Sequence, residues 1–396
     1  MTDVMECKVL IVGGGPAGLS VASHLADEVS TVIVHQDAEI GKPVRTSGGT
    51  WVSDMIKLGI PTELYQVIDH LDFYSDSEQA LFTFEHDRMA VLDVTALYCY
   101  LAALSENKNR HLMTGAKFIA AEQLQDGRYS SVIRSRTDGE ITVISEYIVD
   151  ASGWQCAVLE SLGLAKKPDR IAVGIEYEFP IGDFDPHRAI LFVGAAALAG
   201  YGWIFPTPDQ QLRLGVGIIN PDTDLSPKQV MDAFIKGDHA SRFGIEIPDN
   251  YKVNAGIVPS VAYDEQLLFG NVIRTGDAAN FASPTVGEGI RMAIDFGRLL
   301  GSELSKQING DKQALKRYQR SCTKAFKRDY KFGFMMNQRV AKSSAERWDK
   351  SIKRLSRLNE QEMTQWVRSR FGWNMMIRTI WASLLAKMRG LIKYGA

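Results

Sequence analysis

The sequence predicts an α/β fold: a Rossmann-type dinucleotide-binding lobe, a β-sheet lobe that carries a substrate pocket, and a helical C-terminal region. Three observations support this. An apolar strand runs directly into Gly13-Gly14-Gly15-Pro16-Ala17-Gly18, a second glycine motif occupies 276–290, and a β-rich stretch lies between them.

Lys8-Val9-Leu10-Ile11-Val12 is a short β-branched run that stops at the glycines, and 16–27 has helical spacing through Leu19, Ala22 and Leu25. Thr31-Val32-Ile33-Val34 supplies the next parallel strand and completes a βαβ unit. Further along, 92–104 reads as a helix, and 141–149 and 171–179 alternate as strands. Strands are also expected at 189–193, 201–205 and 212–218. From Gly287 onward the pattern is helical, with breaks near Gly310 and Gly372. These elements divide the chain into a discontinuous dinucleotide-binding domain (1–70, 95–165 and 270–311), a substrate domain (71–94 and 166–269) and a C-terminal region (312–396).

A chain of 396 residues with 45% hydrophobic content can bury a large core. It has no apolar run long enough to cross a bilayer and no leader of export type. Cys7, Cys99, Cys156 and Cys322 lack the spacing of a disulfide framework or a metal site, so no metal is expected and a reducing cytoplasm fits. The net charge of −2 conceals an asymmetry: 312–396 holds 21 basic and 5 acidic residues. Within it, 373–393 has the spacing of an amphipathic helix with basic flanks, suited to an anionic membrane surface. Two other readings are a helix docked over the pocket and a surface for an acidic carrier protein. Nucleic acid is disfavoured, because no binding motif accompanies the charge.

The two glycine motifs together point to FAD. Gly13 permits the tight turn, Gly15 lets backbone N–H groups approach a pyrophosphate, and Gly18 allows close helix packing, with Ala17 in the same turn. His35 and Gln36 occupy the place of the usual ribose-binding acid. Asp277 follows an apolar strand, where its carboxylate can accept a ribityl hydroxyl; Pro284, Gly287 and Gly289 then open a helix start toward the flavin edge. No second GxGxxG unit is present, so the electron donor is either NAD(P)H visiting transiently or a reduced redox protein.

Over nearly its full length the chain resembles the geranylgeranyl reductase family, within the larger class of flavin hydroxylases and halogenases. The matching segments are the first glycine motif, Glu39-Ile40-Gly41-Lys42-Pro43-Val44-Arg45, Leu58-Gly59-Ile60-Pro61, Asp150-Ala151-Ser152-Gly153, Tyr201-Gly202-Trp203-Ile204-Phe205-Pro206 and 276–290. The resemblance implies that Arg45 and Asp277 touch FAD and that Tyr201, Trp203 and Phe205 belong to the substrate side, as a wall or as core. Family members commonly carry a cysteine just after Pro-Val-Arg. This chain has Thr46 and Ser47, whose hydroxyls hold their protons far more tightly than a thiol.

The expected activity is reduction of a carbon–carbon double bond in an apolar, isoprenoid or lipid-like molecule by hydride from flavin N5, with the protein cytoplasmic and peripheral at the membrane. The alternative is an FAD-dependent monooxygenase. A halogenase and a non-catalytic flavin-binding membrane protein rank lower, and no residue is assigned as catalytic.

Overall fold

A computed structural model describes residues 3–371, apart from 199 and 341. The 373–393 stretch and the break near Gly372 therefore lie outside the described residues.

The first sheet has eight strands. Asp3–Val12 lies at its centre, flanked in parallel by Thr31–Val34 and Gly139–Asp150; Arg110–Met113 and Val272–Arg274 extend the parallel set on either side. Val9, Leu10 and Ile11 are buried on both faces, which explains the unbroken apolar run. Register places Val12 beside both Val34 and Asp150, and Asp150 beside Arg274. The carboxyl ends of four strands thus share one edge, where ligands bind in open α/β sheets. Tyr129–Ser135 and Ala116–Gln123 extend the sheet as an antiparallel annex.

The second sheet has seven strands, in the order Lys252–Pro259, Ile171–Pro180, Gln211–Asn220, Gly200–Pro206, Arg188–Phe192, His70–Tyr74 and Gln79–Thr83. One face packs on the amphipathic helix Pro227–Lys236 through Phe192, Leu214, Val216 and Phe234. The other carries Gly174, Glu176, Trp203, Arg213 and Gly215. A small sheet of Gly49–Trp51, Met89–Leu92 and Tyr65–Ile68 sits beside it.

Among the described residues, the C-terminal region forms helices Ala314–Asn337, Ala345–Leu355 and Glu360–Val367 after Ile290–Ile308. The expected break near 310 is present, but the chain also leaves helix at 338–344 and 356–359. The predicted 16–27 helix ends earlier, at His24, because Leu25 turns to extended backbone as its C-cap. Sequence reading had not assigned strands at 65–83, 116–135 or 252–259. Several of these show mixed burial, so their apolar pattern is weak.

Candidate active site

Two loops meet at the shared strand edge. Gly13 has φ +118°, and a Cβ on it would lie 2.1 Å from the Ala151 carbonyl oxygen, so only glycine closes this turn against the Asp150-Ala151-Ser152 segment. A Cβ at Gly15 would meet nothing within 4 Å. Gly15 is the N-cap of helix Pro16–His24 and offers it no side-chain bond, so the helix begins beneath open space with its backbone donors uncapped by side chains. Ala17 and Gly18 are buried behind this opening.

The flanking polar groups are arranged as follows. His35 follows Val34 and is mostly buried; burial holds its imidazole below the ordinary value against the opposing pull of Asp37. Its Nε2 makes no hydrogen bond, the nearest carboxylate being Asp37 at 3.7 Å. Gln36 is exposed. The Arg45 guanidinium grips Asp37 in a bidentate pair, 2.6 and 3.0 Å, and holds that carboxyl below its usual range. Arg45 therefore already has a protein partner while still lining the central cavity.

Asp277 sits in the turn Gly276–Ala279 just past Val272–Arg274. Burial pushes its carboxyl up to about 6. It caps no helix, since Thr275 caps its own turn and Gly289 caps Ile290–Ile308. Gly287 has φ +74°, and its N–H is taken by the Ser283 carbonyl at 2.8 Å. The C-terminal region clamps this loop. The Tyr330 hydroxyl donates to the Phe281 carbonyl at 2.7 Å, the Ser283 and Ser369 hydroxyls share a bond of 2.6 Å, and Pro284 is buried beneath them.

A cavity opens between this loop, the Arg45-Thr46-Ser47 segment and the second sheet. Its lining is mainly apolar, including Val173, Ile175, Ile218, Val258 and Pro259. Tyr201 and Trp203 line it as well; Phe205, on the same face, lies in the core beside Trp51 and Met89 instead. Wall and core are thus both realised within one strand. The Tyr201 hydroxyl donates to the Val286 carbonyl at 2.6 Å, tying the sheet to the glycine loop.

Trp203 lies across the backbone of neighbouring strands. A Cβ at Gly215 would sit 2.1 Å from the indole Cε2, and those at Gly174 and Gly217 would be 3.1 and 3.4 Å from the six-membered ring. The indole Nε1–H donates to Glu176 Oε2 at 3.1 Å, and Asn254 Nδ2 donates to Oε1 at 3.2 Å. Arg213 binds Glu178 at 2.7 Å and donates to the Ser47 and Leu92 carbonyls, fixing the segment that carries Thr46 and Ser47. Sequence reading missed Glu176, Arg213 and Asn254. The available signal was a set of charged or amide side chains inside otherwise apolar strands.

The residues fit FAD. The open space over Gly15 suits a pyrophosphate at a helix start, the orphaned His35 Nε2 lies beside the first strand edge, and the Asp277 carboxyl flanks Gly289. Fold and site together define an FAD-dependent oxidoreductase.

The chain belongs to the FAD binding domain family, whose model matches residues 6–332. A digeranylgeranylglycerophospholipid reductase of Picrophilus torridus is 25% identical over 364 residues, covering 87% of this chain and 90% of the relative. Among solved structures, a geranylgeranyl bacteriochlorophyll reductase-like protein from Thermoplasma acidophilum superposes with a TM-score of 0.81 at 20% identity, covering 92% of this chain and 96% of its own. The p-nitrophenol 4-monooxygenase of Pseudomonas putida shares the fold at TM-score 0.67 and 16% identity, covering 92% and 97%.

Proposed function

We propose that the protein reduces carbon–carbon double bonds in an isoprenoid lipid or a similar apolar molecule. The observation that carries this is the cavity: mainly apolar, walled by Tyr201 and Trp203, and bounded by the Arg45–Ser47 and 283–287 loops. Full-length similarity to a reductase of prenylated lipids supports the substrate class. When bound, FAD supplies the hydride from its N5.

The chain's own residues bind and orient. Gly13, Gly15, Ala17 and Gly18 would receive the FAD pyrophosphate, His35 and Gln36 would face its adenosine end, and Asp277 would accept a hydroxyl of the ribityl chain. Pro284, Gly287 and Gly289 would border the isoalloxazine edge, with Arg45, fixed by Asp37, alongside. Thr46 and Ser47 meet the substrate from one side, Tyr201 and Trp203 from the other. Phe205 supports Trp203 from the core. NAD(P)H or a reduced redox protein restores the reduced flavin.

Substrate is drawn from an anionic membrane surface. Lys316, Arg320, Lys324, Lys327 and Lys331 are exposed and recur at helical spacing along one face of Ala314–Asn337, opposite the buried Leu315, Cys322 and Phe326. Asn337, on the buried side of the same helix at its end, and Val340 just beyond it line the cavity, so the helix that carries the basic face ends at the cavity. No helix among the described residues is long and apolar enough to cross a membrane; the association proposed is peripheral.

Anaerobic mixing of the reduced holoenzyme with geranylgeranyl substrates tests the activity: flavin reoxidation is expected, and reoxidation by oxygen alone refutes it. The absence of a thiol after Val44-Arg45 favours one second reading, a monooxygenase. Oxygen uptake tightly coupled to an oxygenated product would select it.

A further inference from the structure

A buried carboxyl, Glu176, lines the cavity, whereas the segment after Arg45 offers no thiol. We infer that Glu176 delivers the proton to the substrate carbon in the reduction proposed above. This inference rests on that reading and names the acid it requires.

Glu176 is the one carboxyl among the described residues that line the cavity, and its side chain is 4% exposed. The other acidic candidates are committed elsewhere or too weak. The Tyr201 hydroxyl is bonded to the Val286 carbonyl, and burial pushes it up to about 12. Thr46 and Ser47 carry only aliphatic hydroxyls. Arg45 is held by Asp37.

The surroundings suit a group that must carry a proton and then leave it behind. Gln211–Asn220 presents Arg213, whose Nε lies 3.7 Å from Glu176 Oε1 but is directed at Glu178 at 2.7 Å. Lys252–Pro259 presents Asn254 on Glu176, while Lys252 pairs with Glu178 at 2.9 Å. From the strand Gly200–Pro206 comes the Trp203 N–H. The two neighbouring cations are thus matched to Glu178, leaving Glu176 the carboxyl with neutral donors on both oxygens. Burial pushes it above its ordinary value, a shift opposed by Arg213, Trp203 and Asn254.

In the step itself, the π pair of the double bond takes the proton from the Glu176 carboxyl and forms one C–H bond. The neighbouring carbon receives the hydride supplied by the reduced cofactor, which loses two electrons. The carboxylate that remains is stabilised by Trp203, Asn254 and Arg213 and regains a proton from water.

The test uses the holoenzyme and its Glu176→Gln and Trp203→Phe variants, each checked for flavin content. Infrared difference titration without substrate should show a protonated carboxyl around neutral pH that is absent from Glu176→Gln and titrates at higher pH in Trp203→Phe. Glu176→Gln should slow anaerobic flavin reoxidation by geranylgeranyl substrate about 10²–10⁴-fold while substrate affinity stays within about threefold, and should lose the fall in rate with rising pH. A Glu176 already ionised around neutral pH, or a Glu176→Gln variant at the wild-type rate, overturns the assignment. If the infrared signal is present but no prenyl substrate reoxidises the wild type, the reductase reading fails and takes the acid role with it.

Discussion

Gly215→Ala offers a direct test of how the cavity is built. Its φ lies outside the left-handed region, so alanine meets no backbone strain there and the whole cost is steric. The new Cβ would lie 2.1 Å from Trp203 Cε2, 2.2 Å from Cζ2 and 2.5 Å from Nε1, distances that force the indole off the strand. Overpacking of this kind costs about 1–3 kcal/mol. Displacing the indole also breaks its 3.1 Å bond to Glu176 and leaves a buried, protonated carboxyl with one donor fewer, a further loss of about 0.5–1.5 kcal/mol. Together these give a destabilisation of about 1.5–4.5 kcal/mol. Urea denaturation followed by tryptophan fluorescence and circular dichroism measures it. Gly217→Ala is the control: its Cβ would stand 3.4 Å from Cζ3, a contact the ring can relieve by a small shift, so about 1 kcal/mol or less is expected. A Gly215→Ala variant within about 0.5 kcal/mol of wild type with native fluorescence would refute the stacked geometry.

Gly13→Ala should fail to fold, because its Cβ meets the Ala151 carbonyl. Gly15→Val should keep the wild-type Tm without cofactor while losing flavin, read from the absorbance ratio of purified protein. Arg368→Ala removes the guanidinium that binds Asp54 and Asp87, both at 2.8 Å, and covers the Trp51 ring; about 3–5 kcal/mol of stability should be lost in thermal or urea unfolding. The folded state holds the Asp277 proton more tightly than the unfolded chain does. Its contribution is therefore greatest below the ordinary carboxyl value of 3.8 and disappears as pH rises through about 6. Flavin-free wild type should lose up to about 2–3 kcal/mol across that window and Asp277→Asn should not, as urea melts at several pH values will show. Reversing Lys316, Arg320 and Lys324 to glutamate should abolish sedimentation with anionic vesicles and leave turnover of detergent-dispersed substrate intact.

Much of the dinucleotide lobe was legible in the sequence, because its signals are local. The strand before Gly13 must be apolar to lie between two parallel neighbours, and Gly13 itself is required by a contact with backbone. The edge strands and the antiparallel annex were less legible, since solvated faces blur their alternation. The breaks at 338–344 and 356–359 escaped for a different reason: no proline or lone glycine marks them, and their ends are set by packing and side-chain caps such as Asn359.

By itself, the sequence determined the fold class, the pair of glycine loops and hence the cofactor, and it showed that no thiol follows Arg45. Tertiary structure alone decided what stands in the cavity in its place. Glu176, Trp203 and Asn254 lie on three different strands, and only strand order and register bring them together. It also decided that Trp203 faces the cavity from the core cluster it shares with Phe205, which does not reach the cavity, and that Tyr330 and Ser369 clamp the 281–287 loop from the far end of the chain. The physical reason is one of range: turns and strand burial are fixed by neighbours in sequence, whereas a buried polar group is defined by partners that folding supplies.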